Sequence, residues 1–124
     1  MPTRYTEDGA APIVQFDPQL EVSPFAVFRR LREGRPPLLV DVRPAPGALS
    51  LAGSLAAPDA GWSPPADEDV VLFDEDGTLA CEAARRLQAA GHPRVRALFG
   101  GLSLWEFALD PEVVGAETYL RRRS

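Results

Sequence analysis

Three neighbouring acids carry most of the chemistry this chain could perform. Asp74, Glu75 and Asp76 follow an apolar run, Val70-Val71-Leu72-Phe73, and are followed by Gly77, Thr78 and Leu79. Two carboxylates at i and i+2 off a strand end can converge on one hard cation. With a metal in place, Asp74 could act as a nucleophile and Asp76 as an acid/base. The same residues also have a reading without chemistry. An Ala/Arg/Leu-rich stretch begins at Leu79, and a helix start there offers free N–H groups and a positive dipole end. Carboxylates at that point would cap the helix, each contributing about 0.3–1 kcal/mol. They would fill the place where a free anion would otherwise bind.

The other chemistry-bearing side chains are isolated. Cys81 is the one cysteine, so no internal disulfide can form and a reducing compartment is compatible. It stands beside Glu82 and after the acidic loop, whereas a reactive thiol needs an electropositive setting. An inert helix cysteine is expected. His92, the single histidine, lies between Gly91 and Pro93 and reads as a loop residue, not a ligand or base. Asp41 reads as structural, and Arg43 as its ion-pair partner or that of Asp74.

Elements that place these residues follow from the apolar pattern. Leu38-Leu39-Val40-Asp41-Val42 and Val70–Phe73 are near-continuous apolar runs, expected for strands covered on both faces. Val95-Arg96-Ala97-Leu98-Phe99 is a further strand before Gly100-Gly101. Ile13–Phe16, Leu20–Val22 and Leu55–Ala57 are shorter extended candidates. Ser23-Pro24 reads as N-cap and first residue of a helix, with Phe25, Phe28 and Leu31 on its apolar face and Gly34 ending it. A helix from Leu79 to Ala90 has the stripe Leu79, Ala83, Leu87, Ala90, with Arg85, Arg86 and Gln88 off it. Leu102–Leu109 reads as a short helix, Val113–Leu120 as a final one, and Ala48–Leu51 as a helical turn. Asp59–Asp69 is a Pro-containing loop with Trp62 packed over the core. Strands alternating with helices predict a parallel sheet with helices on both faces. Asp67, Glu68 and Asp69 precede the strand by four residues at ~3.3 Å each, so they lie roughly 13 Å from the loop, at the other end of the sheet.

Composition narrows the function classes. The chain of 124 residues, 45% hydrophobic and 25% charged, is of a size for one domain with a real core. Its net charge of −5 argues against nucleic acid or an anionic membrane as partner. All 13 basic residues are arginine; with the many Ala, Pro and Gly this suggests a GC-rich bacterial genome. No apolar run approaches the ~18 residues of a membrane span, and the N-terminus lacks a signal-peptide apolar region. The expected organisation is a disordered segment over residues 1–12, one domain over 13–120 and a basic end over 121–124, in a cytoplasmic protein.

In this order the segments resemble a rhodanese-like domain. Residues 38–43 (LLVDVR) are similar to that family's strand ending in Asp-Val-Arg, and 53–58 (GSLAAP) to its Gly-Ala-x-x-x-Pro segment. Residues 70–91 resemble its central strand, active-site loop and helix, and 95–105 (VRALFGGLSLW) its last strand, double glycine and Trp. The resemblance covers roughly residues 19–108 and implies a rhodanese-like α/β fold. It departs in length, since residues 59–69 leave little room for the family's helix there. It also departs in chemistry. In active members the residue ending the central strand is a cysteine that takes sulfur as a persulfide, and the loop N–H groups cradle the anion. Here that position is Asp74, an exchange that non-catalytic members often carry. The loop Asp74, Glu75, Asp76, Gly77, Thr78, Leu79 is thus expected to be a vestigial site, with Gly77 matching the family glycine. No cofactor is implied. The expected role is binding or regulation through a protein partner, and an exposed apolar patch around Trp62 or Trp105 would mark the surface.

FDEDGTL also resembles motif one of haloacid-dehalogenase-type phosphatases, where Asp74 would attack phosphorus, Asp76 act as acid/base and Mg²⁺ offset the charge. The remaining motifs of that family are missing after Leu79: Glu106, Asp110, Glu112 and Glu117 are scattered, and Ser103 and Thr118 sit at no evident strand end. A metal at Asp74 and Asp76 is therefore the lesser expectation.

Overall fold

The computed structural model describes residues 16–44, 47, 49–56 and 62–122. In chain order they form β1 (Glu21–Val22), α1 (Pro24–Arg32), β2 (Leu38–Asp41), β3 (Leu49–Leu51), β4 (Val70–Phe73), α2 (Thr78–Ala89), β5 (Val95–Leu98), α3 (Gly101–Ala108), α4 (Pro111–Val114) and β6 (Leu120–Arg122). β1, β5, β4 and β2, in that order, make a parallel sheet. β3 and β6 pair antiparallel as a separate ribbon. This is an α/β architecture, a parallel sheet with helices on both faces, as the alternating pattern predicts.

The period of two along each strand explains the two-sided core. Leu39, Val71, Phe73 and Leu98 point to one face, where Val27 and Phe28 of α1 and Leu102 and Trp105 of α3 cover them. Val40, Val70, Leu72, Val95 and Ala97 point to the other, against Ala80 and Ala84 of α2. The two alanines let α2 approach the sheet closely. All four residues of β4 are buried, as its unbroken apolar run requires.

Several expectations are corrected. Of the expected α2 stripe, Ala83 and Leu87 pack partly against the core, whereas Leu79 (45% exposed) and Ala90 face outward; the fully buried positions on the inner face are Ala80 and Ala84. Gln88 is not simply off that face, because its amide donates to the carbonyls of Gln19 and Val95 and ties α2 to β5. In α1 the covered face is Val27, Phe28 and Leu31, while Phe25 is exposed. Leu49–Leu51 is a strand, not a helical turn, because Leu120–Arg122 returns to pair with it. The expected helix over Val113–Leu120 stops at Val114. Gly115 at φ 105° and Tyr119 at φ 66° turn the chain out of helical geometry into β6, so Arg121 and Arg122 are strand residues. Leu55 makes one parallel bridge to Val40 in place of a short strand. Trp105 is fully buried, with Nε1 donating to the Thr118 carbonyl, so it forms no surface patch. Trp62 is half-buried against the α2-side core. The expected disordered segment over residues 1–12, residues 13–15 of the candidate strand Ile13–Phe16 and part of the loop after residue 56 lie outside the described residues; Phe16 is not in a strand. Among the described residues no helix is long and apolar enough to cross a membrane.

Candidate functional site

Parallel strands bring the ends of β2, β4 and β5 to one edge, where ligand sites of open α/β sheets form. The three segments that emerge there are Val42-Arg43, the loop Asp74–Gly77, and Phe99-Gly100-Gly101. Asp69 is held away from this edge, paired with Arg30 (2.9 Å) and Arg94 (3.0 Å). His92 is in the loop before β5, at that same distant end.

Asp74 turns inward. It is 2% exposed, and each carboxylate oxygen accepts a backbone amide: Oδ1 from Gly77 at 2.6 Å and Oδ2 from Leu79 at 2.8 Å. Asp76 is exposed and its Oδ1 accepts from the Thr78 amide at 2.9 Å. The Thr78 amide, and then its hydroxyl, hold the Asp76 carboxyl below the usual aspartate range. Two of the three acids therefore cap the start of α2, as the sequence leads one to expect. Glu75 does not. Its carboxylate leaves the helix and meets Arg43 Nη1 at 3.0 Å.

Arg43 is the hub that the resemblance places only in outline. Its Nε and Nη2 grip the fully buried Asp41 at 3.0 and 2.8 Å, and Nη2 also donates to the Leu49 carbonyl at 2.7 Å. With the Glu75 contact, one guanidinium joins the end of β2, the start of β3 and the β4–α2 loop. It pairs with Asp41, as expected, and with Glu75 in place of Asp74. Hydrogen bonding to Asp41 is the main cause raising the Arg43 pKa, so the cation is permanent.

The loop rests on the double glycine. Leu102 N donates to Asp74 O and Ser103 N to Glu75 O, both at 2.9 Å, so free amides at the start of α3 hold the loop carbonyls. A Cβ on Gly101 (φ +63°) would lie 2.6 Å from Asp74 O, Asp76 N and the Glu75 carbonyl carbon. Only glycine permits this approach. Gly77 (φ +96°) sits against Gly100 from the other side. The sequence signal for this platform was the Gly-Gly pair itself; its role needed the register of α3.

Beside the loop lies an open groove of about 670 Å³, walled by Asp76, Glu82, Arg85, Phe99 and Leu104, with Glu21 and Cys81 at its side. Cys81 Sγ donates to Glu21 Oε2 at 3.3 Å. Burial, with Glu21 adding to it, pushes the thiol up to about 12, so thiolate is negligible near neutrality. No local pattern in the sequence points to this groove, since its walls come from β1, α2, the end of β5 and α3.

Chemically, the loop is an anion cradle whose amides already hold a carboxylate. Asp74 has both oxygens engaged and is poorly placed for in-line attack on phosphorus. Among the described residues no group of three or more His, Cys, Asp or Glu could hold a metal. The phosphatase expectation receives no support from this geometry.

A family model for the rhodanese-like domain matches residues 25–108. Among solved structures, a rhodanese homolog from the extremely thermophilic bacterium Thermus thermophilus is 31% identical, with a TM-score of 0.55, covering 66% of this chain and 95% of that one. A protein from Lactobacillus plantarum shares the fold at 23% identity and a TM-score of 0.56, over 72% of this chain and 83% of that one. No curated protein matches the chain.

Proposed function

We propose, from the premise that the chain belongs to the rhodanese-like family, that it is a catalytically inactive member serving in binding or regulation. One observation carries this reading: Asp74 stands at the end of β4, where the resemblance puts the persulfide cysteine, and its carboxylate occupies the amides of Gly77 and Leu79. A carboxylate oxygen cannot form the S–S bond of a persulfide, so the covalent step has no nucleophile. An anionic sulfur donor ~4 Å from one carboxylate is also repelled by about 1 kcal/mol in water and about 4 kcal/mol near a protein surface. Cys81 offers no replacement, since its thiol is tied to Glu21 and stays protonated. A protein partner in a bacterial cytoplasm fits the net charge of −5 better than nucleic acid or membrane does.

The test is thiocyanate formation from thiosulfate and cyanide by the purified chain and by Cys81→Ser. The expected result is no rate above the protein-free blank for either. Turnover by the parent would overturn the proposal, as would Mg²⁺-dependent hydrolysis of a phosphate ester that Asp74→Asn abolishes.

A further inference from the structure

The groove beside the loop has two unlike walls. Phe99 and Leu104 form an apolar one. Beyond the lining residues, the Phe16 ring packs edge-on against Phe99 at 5.3 Å, and Phe107, one helical turn after Leu104 on α3, is 84% exposed. Along the opposite wall the exposed acids are Asp76 and Glu82, against the cation Arg85, while Glu21 is buried with its oxygens taken by Asp17 N and Cys81 Sγ. Asp76 is held in its charged form by Thr78. An open groove with an apolar wall and a net negative rim suits a peptide segment with apolar anchors and cationic flanks.

We propose that this groove is the docking site for a basic amphipathic peptide segment of a partner protein, with apolar side chains on Phe99 and Leu104 and Lys or Arg facing Asp76 and Glu82. The proposal rests on the reading of the domain as a binding module and gives that module a partner chemistry. It needs no reaction at the loop. Phe107, too exposed for a role in the core, extends the contact surface.

The probes are two fluorescent synthetic peptides of equal length and apolar pattern, one Leu/Lys and one Leu/Glu, titrated with the full chain by anisotropy. The Leu/Lys peptide is expected to bind, the Leu/Glu peptide not, and binding is expected to weaken as salt shortens the Debye length from about 10 Å at 0.1 M to about 3 Å at 1 M. Glu82→Arg, on the exposed side of α2, is expected to weaken the Leu/Lys peptide about fivefold or more. Leu104→Ala is expected to weaken it about tenfold, with its thermal melt measured alongside. Phe25→Ser, on α1, should leave binding unchanged. Equal binding of both peptides, no binding, or an effect of Glu82→Arg below about twofold overturns the proposal. In the no-binding case, sedimentation against concentration shows whether a second copy fills the groove instead. Thiocyanate formation bears on the proposed inactivity alone, so the two failures are distinguishable.

Discussion

Gly101→Ala isolates the contact that holds the loop in place. Two costs arise, and Gly34 separates them. Gly34 has φ +74° with nothing within 4 Å of an added Cβ, whereas Gly101 has φ +63° with three backbone atoms at 2.6 Å. Both alanines incur the left-handed penalty of roughly 1–2 kcal/mol. At Gly101 the new carbon also stands about 1 Å inside ordinary contact distance, and every atom it meets is backbone, so no side chain can swing aside. Overpacking of that kind costs about 1–3 kcal/mol. If the loop retreats instead, the bonds from Leu102 N to Asp74 O and from Ser103 N to Glu75 O are lost, at about 0.5–1.5 kcal/mol each. Either route makes Gly101→Ala less stable than Gly34→Ala by about 2 kcal/mol. Urea unfolding of both variants at equal slope gives the difference directly, and hydrogen exchange at Leu102 and Ser103 shows which route is taken. A difference below about 0.5 kcal/mol, within ordinary additivity error, would refute the view that the double glycine exists for loop contact.

Other variants test the remaining parts of the site. Arg43→Ala leaves Asp41 as a buried charge without its guanidinium partner and should lower stability by about 3–5 kcal/mol in urea unfolding. Glu21→Gln removes the negative charge beside Cys81 while burial, the larger cause, remains, so the thiol falls part of the way from about 12. Alkylation by iodoacetamide at mildly alkaline pH should then accelerate, while the parent stays slow; equal rates would show that Glu21 has no hold on the thiol. Arg94 and Arg30 hold Asp69 below the usual aspartate range. A depressed carboxyl stabilises the fold above its unfolded pKa, and this contribution fades as pH falls through the folded value. Asp69→Asn should therefore lose about 0.2–1 kcal/mol at neutral pH, the size of a partly exposed pair, and the gap to the parent should shrink as acid protonates the folded-state carboxyl, below the ordinary aspartate range.

Much of this fold is legible because its strands are local in signal. The runs before Asp41 and Asp74 announce themselves by apolar continuity, the run at Val95–Leu98 does so despite Arg96, and Ser23-Pro24 and Gly91 punctuate the helices. The β3–β6 ribbon is not legible in the same way. Leu49-Ser50-Leu51 is too short to declare a period, and its partner lies beyond α4, so pairing is decided by tertiary closure. Trp105 looks like a surface candidate in sequence but is buried because β6 brings the Thr118 carbonyl to its indole N–H. At the site, the capping roles of Asp74 and Asp76 follow from their place before a helix. The diversion of Glu75 to Arg43 depends on which way the loop faces β2, which no local pattern encodes.

The inward turn of Asp74 fills the amides of Gly77 and Leu79 with a carboxylate tethered to the same loop. A group on a short flexible tether reaches an effective concentration of about millimolar, and one held rigidly in position reaches far more. A dissolved anion seeking the amides of Gly77 and Leu79 must first displace such a group. The displaced carboxylate would still hang at the entrance as a repelling charge. In this chain one side chain therefore sets the occupancy of the cradle, with no change in backbone. The amides and the Gly-Gly platform beneath them serve a captive guest as well as they would serve a free one.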